Sequence, residues 1–180
     1  MHLVDSIGRA RLNPICCHHE QACATAAEGY ARMKNDLGVA CVTTGPGGTN
    51  AITGVASAWV DCIPIMVVSG QVRTDIMIPR EDGRPLLRQL GPQEINIVDL
   101  VRPITKYAVT VYDPEEIRFH LEKAVHLARQ GKPGPVWLDI PLDVQRAEID
   151  ETALVGFEPR SGEAYDLPME KIAAALRGSK

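Results

Sequence analysis

The stretch VACVTTGPGGTNAITGVASAWVDCIPIMVVSG, residues 39–70, decides the fold. It opens with an apolar run (39–44) and breaks at GPGGTN (45–50). It resumes with Ile52, Val55, Ala56 and Trp59 at helical spacing over 51–60, and closes with a second apolar run (64–70). The spacing predicts strand, turn, helix, strand. Both apolar runs are continuous rather than alternating, as expected of strands buried on both faces of a parallel sheet.

The same reading extends outward. Upstream, EQACATAAEGYARMK (20–34) has Ala22, Ala26, Tyr30 and Met33 at helical spacing, and PICCH (14–18) reads as a short buried strand. Downstream, residues 73–92 carry Pro79, Pro85 and Pro92 and no period, which predicts a long loop. EINIVDLV (94–101) predicts a short helix ended by Arg102-Pro103, and KYAVTV (106–111) a strand. Asp113-Pro114-Glu115-Glu116 is a helix start with a capping Asp, a Pro first inside and Glu116 at capping-box spacing. Ile117, Leu121, Val125 and Ala128 form the stripe of that helix, Gly131 stops it, and VWLDI (136–140) is a last buried strand. Alternating strands and helices predict an α/β fold of three layers, α/β/α, around a mainly parallel sheet. Residues 1–145 make one domain. Residues 146–180 read as a linker (146–167) and the opening helix (169–178) of a further domain.

Composition limits the function. The 180 residues carry a net charge of -4 without a basic cluster, which argues against nucleic acid as a partner. No apolar run reaches the roughly 18 residues of a membrane span, and the N-terminus lacks a signal peptide's apolar stretch. Five cysteines without a framework spacing fit reduced thiols and a cytoplasmic location.

In parallel α/β folds ligands gather at the carboxyl ends of the strands. Three polar groups fall there: His18-His19-Glu20, Thr44-Gly45-Pro46-Gly47 and Ser69-Gly70-Gln71. A metal site at His18, His19 and Glu20 is disfavoured, because sequence neighbours point in different directions and no CxxC pair adds ligands. Cys17 and Cys23 lie near a helix start that would favour a thiolate, yet cysteine is also among the most buried residue types. The GPGG turn offers backbone amides to a phosphate, but Pro46 lacks that donor and no P-loop Lys follows. Glu20 fits either decoration of a helix N-terminus or a working carboxylate.

The segments HHEQACATAAEGYAR, VTTGPGGTNAITGVASAWVDCIPIMVVSGQV and GKPGPVWLDIPLDVQ resemble, in matching order, the N-terminal pyrimidine-binding domain of thiamine-diphosphate enzymes, and most of all the acetolactate synthase (acetohydroxyacid synthase) branch. The resemblance implies that Glu20 is the catalytic glutamate. Its carboxyl bonds the aminopyrimidine N1′ and favours the imino tautomer, whose nitrogen takes the thiazolium C2 proton so that the carbanion attacks a 2-keto acid such as pyruvate. It also implies that Thr44, Gly45, Pro46 and Asn50 contact the aminopyrimidine half of thiamine diphosphate, and that Gln71 lies near the reacting carbons. No metal ligand is implied here: magnesium and the diphosphate belong to a Gly-Asp-Gly domain that this chain lacks. A diphosphate-domain chain, a homo- or hetero-oligomer and a 2-keto-acid substrate are therefore the expected partners, and burial by the partner is expected to raise the Glu20 pKa.

Several positions depart from the family pattern. Its domain starts about one helix and one strand earlier, so the first helix and strand of the fold are expected to be missing. Leu142 stands where a lysine is common, Arg73 where a proline is, and Pro92 where a phenylalanine is, all around substrate access. One subunit of a split 2-keto-acid decarboxylase is the alternative enzyme. A non-catalytic remnant or dimerisation module is the alternative of another class.

Overall fold

The computed structural model describes residues 2–159 and 168–179. In chain order the elements are α1 (His2–Arg9), α2 (Glu20–Lys34), β1 (Gly38–Val42), α3 (Pro46–Val60), β2 (Ile65–Gln71), β3 (Arg80–Glu81), β4 (Arg84–Pro85), α4 (Ile97–Val101), β5 (Tyr107–Thr110), α5 (Ile117–Arg129), β6 (Val136–Pro141), α6 (Leu142–Arg146) and α7 (Met169–Gly178). A four-stranded sheet has the order β1-β2-β6-β5, and every pair in it is parallel. β3 and β4 form a separate two-residue antiparallel hairpin. No helix among the described residues is long and apolar enough to cross a membrane.

The chain runs one way across the sheet from β1 to β2 and back the other way from β5 to β6. Right-handed crossovers then put α3 and α5 on opposite faces. One face packs Ala40, Val42, Ile65, Val67 and Trp137 against α2, α3 and α4. The other packs Met66, Val136 and Leu138 against Ala124 and Ala128 of α5. The expected three layers are present. Among the described residues no strand pairs with the outer edge of β1, where Val39 is 55% exposed.

Several expectations change. PICCH is not a buried strand: no strand is formed there and Ile15 is 82% exposed. An apolar run needs a ladder partner to become a strand, and this one has none among the described residues. On α2 the buried face is Ala24, Ala27, Glu28 and Ala31, while Tyr30 and Met33 face outward. On α3 it is Gly47, Gly48, Ala51, Gly54, Val55 and Ala58, with Trp59 40% exposed. Close approach of α2 to α3 selects the smallest side chains for the contact, not the largest: a Cβ on Gly54 would stand 2.7 Å from Ala24 Cβ. Glu28 is buried on this seam because Arg32 and Ser57 both donate to it. Finally, α3 starts at Pro46, so most of the expected turn is the first turn of the helix, with Pro at its preferred first position.

Asp113 accepts from Glu115 N at 2.9 Å, but it caps a short 3-10 turn (Pro114–Glu116), and the expected helix, α5, starts only after it at Ile117. Glu116 does not close a capping box and instead pairs with His120 Nε2 at 3.3 Å. Part of the stretch expected to be a linker is held against α5. Arg118 donates to Leu154 O, Phe157 N donates to Glu122, and the Phe157 ring meets Phe119 and His126. The rest of that stretch, 160–167, lies outside the described residues.

Candidate functional site

Along the α2/α3 face of the central strands the residues change from apolar to polar towards the carboxyl ends. On β2, Ile65 and Val67 give way to Ser69 and Gln71; on β6, Trp137 gives way to Asp139. These side chains form one buried network. Trp137 Nε1 donates to Ser69 Oγ at 2.8 Å, and Ser69 donates to Asp139 Oδ1 at 2.5 Å. Gln71 Nε2 donates to Asp139 Oδ2 and to Ile95 O, both at 3.0 Å. Gln71 Oε1 accepts from Thr44 Oγ1 at 2.6 Å and Val72 N at 2.9 Å. Asp139 is 1% exposed. Burial pushes its carboxyl up to about 6, against the bonds from Ser69, Gln71 and Thr110 that favour the ionised form.

Above this network lies Glu20, half-buried in the first turn of α2. His19 caps that helix, its Nδ1 accepting from Gln21 N at 3.3 Å. Glu20 Oε2 accepts from Asn50 Nδ2 of α3 at 3.1 Å. On the other side, a Cβ on Gly47 would stand 3.4 Å from Glu20 Oε1. The same Cβ would stand 2.6 Å from Thr43 Cγ2, so close packing requires glycine here, while the Glu20 carboxyl beside it stays half-buried. The backbone amide of Glu20 and the Asn50 bond hold the carboxyl below its ordinary value, against a smaller opposing effect of burial.

The structure therefore brings Glu20, Gly47 and Asn50 together, and it joins Thr44 to Gln71 beneath them. Gly45 links the two groups. It caps α3 at φ +59 and is buried under the Gln93 carbonyl, which would lie 2.0 Å from any Cβ at position 45. Pro46 is exposed and lines an open groove of about 470 Å³ with residues 89–95. Gln71 is buried and saturated by its four bonds, so contact with a substrate requires one of them to break.

Two contributors were not read from the sequence. Asp139 stands in an apolar strand, and its signal was a charged residue two positions from Trp137 on the same face. Gln93 sits over Gly45 with φ +60, uncommon for a residue with a side chain, and nothing in its sequence context marks it. Among the described residues no group of three or more His, Cys, Asp or Glu is placed to hold a metal. The Cys23 thiol is pushed up by burial and by neighbouring Cys17, the opposite of what a nucleophile needs.

Proteins with an open parallel α/β sheet bind small ligands outside the carboxyl ends of the strands. Comparison with known proteins names the family. The thiamine pyrophosphate enzyme family, in its N-terminal TPP binding domain, matches residues 1–99, and the chain belongs to it. The chain is 36% identical over 98% of its length to a probable acetolactate synthase large subunit of Methanocaldococcus jannaschii, of which it covers 29%. It is 42% identical over 73% of its length to an acetolactate synthase of Arthrospira platensis, and 41% over 74% to acetolactate synthase isozyme 3 large subunit of Escherichia coli, covering 21% of each. The chain thus spans less than a third of the length of these relatives.

Proposed function

We propose that this chain provides the aminopyrimidine-binding half of a thiamine-diphosphate-dependent, acetolactate-synthase-like enzyme, with 2-keto acids such as pyruvate as substrates. A diphosphate-binding domain from another chain completes the site and carries the magnesium ion, within a homo- or hetero-oligomer. Five unpaired cysteines support a reducing, cytoplasmic setting. The observation that carries the reading is Glu20. Its half-buried carboxylate stands at the strand ends of a domain of this family, with Oε2 held by Asn50 and Oε1 next to Gly47.

The residues fit a flat heteroaromatic ring. Glu20 is half-buried rather than enclosed, its carboxyl offers the acceptor a ring nitrogen would need, and the Asn50 bond is exposed enough to yield without disturbing the core. When bound, thiamine diphosphate supplies a thiazolium carbon that is nucleophilic once deprotonated. Glu20 contributes a carboxyl that shares a proton with the ring nitrogen. As the chain stands, its helix amide and Asn50 keep that carboxyl ionised. Covering the site removes water and raises its pKa, which brings the proton within reach of sharing. Thr44, oriented by Gln71, and Pro46, held by the buried Gly45, would be the contacts for the ring. Gln71 would serve the substrate side only by giving up one of its four bonds.

Calorimetric titration of thiamine diphosphate and magnesium into this chain mixed with a diphosphate-domain chain tests the reading. Binding by the mixture, weakened about tenfold or more by Glu20→Gln, is expected for the loss of a charged hydrogen bond. Absence of binding with every such partner supports a non-catalytic remnant or dimerisation module instead.

A further inference from the structure

The segment from Gly91 to Ile95 joins the glycine turn to the long loop after β2. Towards the site, the Gln93 carbonyl presses on Gly45, and Ile95 O accepts from Gln71 Nε2 at 3.0 Å. Towards the loop, the Glu94 carboxylate is 4% exposed and gathers both ends of the 78–91 segment. Its Oε1 accepts from Ile78 N at 2.7 Å and its Oε2 from Gly91 N at 3.3 Å. Gln89 Nε2 braces the same corner by donating to Gly91 O at 2.6 Å and Glu94 O at 3.3 Å. Between these anchors Gln93 is held at φ +60, a conformation that persists only where the surroundings impose it.

We propose that Glu94 is a positioning residue for the Glu20 site: its carboxylate clasps the two ends of the 78–91 loop and so keeps the Gln93 carbonyl seated on Gly45. Gly45 caps α3, and α3 carries Gly47 and Asn50 to Glu20. The clasp thereby sets where Asn50 meets the Glu20 carboxyl from the far side of the turn. A carboxylate is required because two N–H donors converge on one side chain. Each ionised oxygen accepts one of them, whereas an amide offers a single oxygen and turns a donor towards the second N–H. The functional meaning rests on the reading of Glu20 as the cofactor-facing group, but the coupling itself is measurable on the chain without cofactor.

The test compares the full 180-residue chain with Glu94→Gln and, as a milder variant that leaves the carboxylate in place, Gln89→Ala. Four readouts are taken: trypsin cleavage at Arg88–Gln89, the NMR shift of the Gly45 amide, the Glu20 carboxyl titration by NMR, and hydrogen exchange of the β2 and β6 amides. Glu94→Gln is expected to speed cleavage about tenfold, the factor for losing one hydrogen bond to a charged acceptor. It is also expected to shift the Gly45 amide and raise the Glu20 midpoint as the Asn50 bond loosens, with β2 and β6 exchange unchanged. Gln89→Ala is expected to move the Gly45 and Glu20 signals in the same direction by less, and it decides the matter if Glu94→Gln fails to fold. Faster cleavage with Gly45 and Glu20 unmoved overturns the proposal, and so does no change at all. If the clasp behaves as proposed while no diphosphate-domain chain restores cofactor binding, it is the reading of Glu20 that fails.

Discussion

Replacing Asp139 by Asn should remove a specific slope from the pH dependence of stability. In the folded chain burial lifts this carboxyl from an ordinary 3.8 to about 6. A shift of roughly two units corresponds to about 3 kcal/mol. The folded-state pKa is raised, so the folded chain holds the proton more tightly than the unfolded chain does. The contribution is fully present below pH 3.8 and is lost as pH rises through about 6. Glu20 and Asp143 are held below their ordinary values and act in the opposite sense, gaining stability as pH rises from the acid side. Comparison with Asp139→Asn cancels them. The variant leaves one donor of the Ser69–Gln71 pair unmet, a cost of about 1–3 kcal/mol that does not change with pH. Urea unfolding at several pH values between 4 and 7, followed by tryptophan fluorescence, gives both curves. The difference in stability, wild type minus variant, is expected to fall by about 2 kcal/mol from pH 4 to pH 7, the part of the full shift that lies in that window. Parallel curves would refute the assignment of a buried, proton-holding Asp139.

Other consequences follow from packing. Gly54→Ala puts a methyl 2.7 Å from Ala24 Cβ, and the α2–α3 seam should lose about 1–3 kcal/mol in a denaturation curve. Gly45→Ala combines a positive φ with a clash on the Gln93 carbonyl, so its loss should be larger still than that of Gly54→Ala. Phe157→Ala removes the ring between Phe119 and His126, and hydrogen exchange at residues 150–157 should accelerate while the sheet amides stay protected.

The sheet was legible because its signal is redundant. β1, β2 and β6 are continuous Val- and Ile-rich runs, each bounded by glycine or proline, and helices separate them. Helix faces were not legible, because hydrophobic spacing favours the largest apolar side chains. Tyr30, Met33 and Trp59 satisfied the period but lie outward, since the α2–α3 seam excludes bulk and is lined by Ala and Gly. The same bias turned GPGG into a turn. Its glycines read as breakers, whereas Pro46 starts the helix and Gly47 and Gly48 are packed within it. PICCH shows that apolar content cannot supply a missing ladder partner.

At the candidate site, the family pattern singled out Glu20 and Asn50, and a 3.1 Å bond joins these residues of different helices. Asp139 and Glu94 were not, because their importance lies in what converges on them. Ser69 and Gln71 reach Asp139, and Ile78 and Gly91 reach Glu94, from positions that no local spacing connects.

Exchange of the thiazolium C2 proton of thiamine diphosphate for deuterium reports on Glu20 itself, before any substrate is involved. With this chain and a diphosphate-domain chain together, exchange should be fast, and Glu20→Gln should slow it to the rate of the free cofactor. Equally fast exchange in the variant would contradict a role for that carboxyl in cofactor activation.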